Sequence, residues 1–154
     1  EKMTGQVQSQ ARAAAALTLV MSLAACDRGP AAIRYGQDQC TECSMTLVDQ
    51  HYGAELITTK GKVLKFDDLT CLLTFQRHGA QTPGTVAQIV VIDFSHSNVF
   101  LPVEQAYFLR HNNLHTPMAS GLAAFSTEAE LEATRGQLGG AGQILRWPDV
   151  MRTP

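Results

Sequence analysis

The chain has no apolar run long enough to span a membrane comfortably. Such a span needs about 20 consecutive apolar residues, and the longest stretch, Ala11–Ala25 (ARAAAALTLVMSLAA), falls short of that. It has no cluster of Lys or Arg. Its 12 basic residues are outnumbered by 14 acidic ones, so it lacks the electrostatic footprint of a nucleic-acid binder, and that partner is excluded. Cysteine is scarce, with 4 in 154 residues. No general base lies beside the thiols in sequence, so a thiol enzyme ranks last among the functions the chain could serve.

What is present begins with Ala11–Ala25. Lys2 and Arg12 precede its apolar core and small residues close it, as in a secretory signal with a short apolar segment. The run ends in Leu23-Ala24-Ala25-Cys26, which resembles a bacterial lipoprotein signal. The resemblance implies cleavage before Cys26 and lipid attachment to it. Residues 1–25 are then a signal peptide. Residues 26–39, rich in Gly, Pro and polar side chains, read as a lipid-anchored flexible tether. Such a tether has a root-mean-square reach of roughly 20 Å. With Cys26 lipidated, Cys40, Cys43 and Cys71 remain. An odd number in an oxidising compartment leaves at least one thiol free or metal-bound.

The rest of the chain reads as α+β, built from two small similar ββαβ units. In the first, residues 40–98, Gly53–Thr59 and Lys62–Phe66 have strand composition around a Lys60-Gly61 turn. Asp67 is the expected cap of a helix over Asp68–His78, and Gln88–Phe94 is an apolar strand. In the second, residues 99–154, Ala106–Arg110 and Gly121–Phe125 read as strands. Thr127-Glu128-Ala129-Glu130 opens a helix as a capping box, and Gln143–Trp147 reads as a strand. Phe66-Asp67-Asp68-Leu69 and Phe125-Ser126-Thr127-Glu128 occupy equivalent places, each a strand end followed by a cap.

The chemistry concentrates in Cys40-Thr41-Glu42-Cys43-Ser44-Met45. Two thiols three apart and a thioether two further on can converge in one turn. Thiolate and thioether are soft donors that select Cu(I) over Zn(II), Mg(II) or Ca(II), whereas a zinc site has no use for Met. The alternative is a thiol–disulfide redox protein using Cys40 and Cys43. Redox dithiols of that kind sit at a helix N-terminus that lowers the thiol pKa, whereas this motif follows a tether. A second candidate stretch is His111-Asn112-Asn113-Leu114-His115-Thr116-Pro117-Met118-Ala119-Ser120-Gly121. The small residues after Met118 could leave its sulfur exposed, and roles for His111 and His115 stay open. Cys71, beside Leu72 and Leu73, reads as a core residue. His51, His78 and His96 are assigned no function.

These motifs together resemble the NosL family. They are the lipoprotein signal at Cys26, Cys40-Thr41-Glu42-Cys43-Ser44-Met45, Lys62-Val63-Leu64-Lys65-Phe66-Asp67-Asp68 and Thr116-Pro117-Met118-Ala119-Ser120-Gly121-Leu122-Ala123-Ala124-Phe125. Members often carry Gly where this chain has Ser44 and Ala119. The resemblance implies a non-enzymatic, membrane-anchored periplasmic lipoprotein that carries one Cu(I) per chain. Nitrous oxide reductase or its membrane assembly machinery is the implied partner. Copper donors would fall on Cys43, Met45 and Met118, with Cys40 matching the motif. A monomer is expected.

Overall fold

The computed structural model describes residues 29–79 and 84–152. The expected signal segment and Cys26 lie outside the described residues. The first unit runs β1 (Ala54–Thr58), β2 (Val63–Phe66), α1 (Leu69–Arg77) and β3 (Val86–Ile92), followed by a short β4 (Phe100–Pro102). The second runs β5 (Tyr107–Arg110), β6 (Leu122–Phe125), α2 (Glu128–Gln137) and β7 (Gln143–Leu145), closed by α3 (Trp147–Arg152).

The fold is α+β, as the residue pattern implies. Both units share one antiparallel topology, in which the first strand is central between the second and the last. The first sheet has the order β2-β1-β3-β4 and the second β6-β5-β7. β4 adds an edge to the first sheet by pairing with β3. The sheets are stitched where Asp93 bridges to Ala124 and the Phe94 amide donates to the Ala124 carbonyl at 2.8 Å.

Alternation along the strands explains how the layers stack. Phe108, Leu122 and Ala124 join the large core made with Leu56, Phe66, Leu72 and Val91 of the first unit. Their neighbours Leu109, Ala123 and Phe125 point the other way and pack with Leu131 of α2. The second sheet is therefore covered on both faces, which fits a β6 buried along its whole length.

Two expectations change at the C-terminus and at the first helix. Trp147 opens α3 instead of ending a strand. Pro148 suits a first helical turn because its missing amide hydrogen is not needed there. Val150 is fully buried, and the Trp147 ring lies 5.9 Å from that of Phe108. The cap of α1 is Asp68, not Asp67: its carboxylate accepts the Thr70 amide. That places Asp68 in register with Thr127, which caps α2 by accepting the Glu130 amide.

The segment read as a tether is also partly built into the fold. The Ala31 amide donates to Glu55 Oε2 at 2.9 Å, Lys65 Nζ donates to the Ala32 carbonyl at 2.7 Å, and the Gly36 amide donates to the Leu47 carbonyl at 2.8 Å. Ile33 is buried in the main core. Composition signals a linker, but backbone groups paired to strands make residues 31–39 part of the domain.

Candidate metal centre

Residues 39–46 form a closed loop. Gln39 and Thr46 bridge across its mouth, the Cys40 amide donates to the Met45 carbonyl at 2.8 Å, and the Ser44 amide donates to the Cys40 carbonyl at 2.9 Å. The Thr41 amide docks the loop onto β2 through the Lys65 carbonyl at 2.7 Å. The loop turns Cys40 inward, 2% exposed, leaves Cys43 half-buried, and turns Met45 outward, 56% exposed.

Beneath it lies the start of α1. Both carboxylate oxygens of Asp67 lie 3.7 Å from Cys43 Sγ. Cys71, in the first turn of the helix, brings a third thiol. One ligand atom from each of Cys40, Cys43, Asp67 and Cys71 lies within 4.8 Å of the others, and the three cysteines are free. Burial pushes the Cys40 thiol up to about 11. Burial also raises Cys71, with Asp67 and Cys40 adding to the effect. These two thiols therefore stay protonated at neutral pH until a cation displaces their protons. Such a set suits a thiophilic ion and does not suit a nucleophile, which needs a ready thiolate.

Met118 arrives from the second unit on a tight turn. The Ala119 amide donates to the Thr116 carbonyl at 3.0 Å, and Thr116 Oγ1 accepts the Gly121 amide at 3.3 Å. The Met118 amide itself donates to Asp68 Oδ2 at 2.9 Å. Asp68 is the neighbour of Asp67, so one acidic dipeptide touches both the Cys-x-x-Cys loop and the Met118 turn. The Met118 side chain is 36% exposed.

Both thioethers stand beside a residue in the left-handed region: Ser44 has φ 63° and Ala119 has φ 56°. A side chain there costs roughly 1–2 kcal/mol, which glycine avoids. Glycine also gives back part of that gain as unfolded-chain entropy. Ser44→Gly and Ala119→Gly should therefore each raise stability by about 0.5–1 kcal/mol. In thermal unfolding this reads as a rise of about 1–4 °C per change for a chain of this size, and an unchanged or lowered midpoint would contradict the strain.

Four of the expected site residues are thus placed. Cys40 and Cys43 share a cluster, Met45 is exposed on the same loop, and Met118 is exposed on a turn bonded to Asp68, the neighbour of Asp67. Asp67 and Cys71 were not expected there, since a cap and a core role explained them in sequence. Their spacing gave no signal, because Asp67 precedes the Asp68 cap and lies outside the helix that carries Cys71. His111 is buried; its Nδ1 accepts the Asn113 amide at 3.0 Å, and Nε2 has no partner among the described residues. His115 is exposed. A second group, Asp93, His96 and Glu130, also has ligand atoms within 4.8 Å of one another. Its members already contact one another, with His96 Nδ1 3.1 Å from Asp93 and Nε2 3.6 Å from Glu130, and one imidazole cannot offer both nitrogens to a single ion. That group ties the end of β3 to α2.

Comparison with known proteins agrees with this layout. The NosL family profile matches residues 30–153. No curated protein matches the chain. Among solved structures it is similar to the copper chaperone NosL from Shewanella denitrificans, at 21% identity and a TM-score of 0.67, covering 81% of this chain and 97% of the other. At that identity the likeness concerns the fold.

Proposed function

The chain belongs to the NosL family, and from that premise we propose that it is a periplasmic Cu(I)-binding lipoprotein that carries one copper ion and delivers it without chemistry of its own. The observation that carries this reading is the convergence of three free thiols and a carboxylate within 4.8 Å, next to loops that expose two thioethers. Cys43, Met45 and Met118 are the proposed donors, with Cys40 behind them and Cys71 as a further thiol within reach. Soft donors select Cu(I), and a half-exposed site leaves a position where a recipient's ligands can attack.

The thiol–disulfide alternative fares worse. Its thiol would need a lowered pKa, commonly from a helix N-terminus. Cys40 and Cys43 lie in a turn instead, and burial raises Cys40. Among the described residues no helix is long and apolar enough to cross a membrane; membrane attachment is proposed through a lipid on Cys26, from the lipoprotein-like Leu23-Ala24-Ala25-Cys26. The proposed recipient is nitrous oxide reductase or its membrane assembly machinery.

Anaerobic titration should load one Cu(I) per chain, and X-ray absorption should show sulfur around it. A shell of nitrogen and oxygen alone would sink the assignment. Deleting the gene in a denitrifying host under limiting copper should leave the reductase folded but poor in copper. A fully loaded reductase there would refute the proposed recipient while leaving copper binding untouched.

A further inference from the structure

One buried carboxylate beside the proposed donors does not belong to the donor set. Asp68 is 1% exposed. It accepts two backbone hydrogen bonds from different parts of the fold: Thr70 N–H to Oδ1 at 2.8 Å, and Met118 N–H to Oδ2 at 2.9 Å, across fifty positions of sequence. The first bond caps α1, the helix that carries Cys71, and fixes the backbone next to Asp67, whose oxygens face Cys43. The second fixes the turn that carries Met118.

We infer that Asp68 is the positioning residue that makes Met118 part of the copper site. It does so by clamping the Met118 amide to the helix cap that also orients Asp67 and Cys71. The inference rests on the copper reading above. The need for a clamp follows from the chain itself. A thioether is a neutral donor on a flexible stem, and its turn already holds Ala119 at an unfavourable φ of 56°. Without an anchor the turn can relax away from the cap, and an uncharged ligand gains little by returning. A carboxylate meets the requirement because it has two acceptor oxygens and no donor. One oxygen serves each amide, and charge-assisted bonds of this kind are about twice as strong as neutral ones. An amide or hydroxyl can replace only one of the two contacts.

That asymmetry supplies the test. Asn and Ser are both good helix caps. In Asp68→Asn the carboxamide oxygen can keep the Thr70 amide, and its NH₂ then confronts the Met118 N–H. In Asp68→Ser the hydroxyl can cap the helix but is too short to reach Met118 as well. Cu(I) affinity is measured by anaerobic competition with a chromogenic Cu(I) chelator, in wild type, Asp68→Asn, Asp68→Ser, Met118→Leu, and Asp68→Asn combined with Met118→Leu. Each single Asp68 variant should bind about tenfold more weakly, the size expected for loss of a group that orients a ligand. X-ray absorption should count one sulfur fewer around the copper, and the thermal midpoints should fall only by the few degrees that one lost buried hydrogen bond costs. The double variant should be no weaker than Met118→Leu alone.

If Asp68 acted only by placing negative charge near the cation, the two losses would multiply in the double variant and the sulfur count would hold. Either of those results overturns the inference, as does wild-type affinity in both Asp68→Asn and Asp68→Ser. A wild-type chain that takes up no Cu(I) overturns the copper reading instead.

Discussion

Cys43→Ser should weaken Cu(I) binding by about a hundredfold or more. Changes to groups that merely support a ligand typically cost 10–100-fold in metal affinity, and Cys43 is proposed as a ligand itself. It is the half-buried thiol of the three, reachable from outside and faced by both oxygens of Asp67. Serine keeps the shape and offers a hard oxygen where a soft sulfur is needed. Met45→Ala and Met118→Ala remove neutral donors and should each cost about tenfold. The ranking is the test. Chelator competition in which either Met variant outweighs Cys43→Ser would move the main ligand elsewhere, with Cys40 and Cys71 next in line because their sulfurs share the cluster. A thiol–disulfide protein would show the opposite pattern, with redox activity untouched by loss of Met45.

Much of this layout was legible in the residues, for definite reasons. Apolar runs and caps gave the two ββαβ units because each helix follows its strand directly through a polar cap, Asp68 and Thr127. The residue pattern puts the cap on Asp67, one residue early, since either side chain can bond an amide two residues on. The fold decides, because Asp67 faces Cys43 and only Asp68 also receives Met118. The soft-donor motif was visible because Cys40, Cys43 and Met45 are adjacent in the chain. Cys71 was invisible as a site residue because burial beside Leu72 and Leu73 looks the same whether a thiol packs against carbon or against another thiol. β4 and α3 escaped because three residues of edge strand and six of helix carry too little period to read.

Glu55 should make the protein less stable as pH rises from 5 to 8, by about 2–3 kcal/mol. It sits near the start of the inner strand β1, fully buried. Oε2 accepts the Ala31 amide, whereas Oε1 has no partner among the described residues. Lys65 stands opposite it in register but gives its ammonium to Asp38 at 2.6 Å and to the Ala32 carbonyl. Burial pushes the Glu55 carboxyl up to about 7 from 4.5, against the pull of the Ala31 amide and Lys65 and with a push from Asp38. Between those two values the folded chain holds a proton that the unfolded chain has released. The unfolded state therefore binds fewer protons, and stability falls with rising pH across that window. Asp38 acts in the opposite sense. The Arg34 amide and Lys65 hold its carboxyl far below the usual range, so its stabilisation is complete above about pH 4 and is lost only in stronger acid. The two windows barely overlap, which makes Glu55 separable. Urea unfolding at pH 5 and pH 8 should show the loss in wild type, whereas Glu55→Gln, whose amide oxygen can still accept the Ala31 N–H, should show little of it. Equal slopes in the two chains would refute the assignment. What Glu55 holds is the docked segment that follows the proposed anchor.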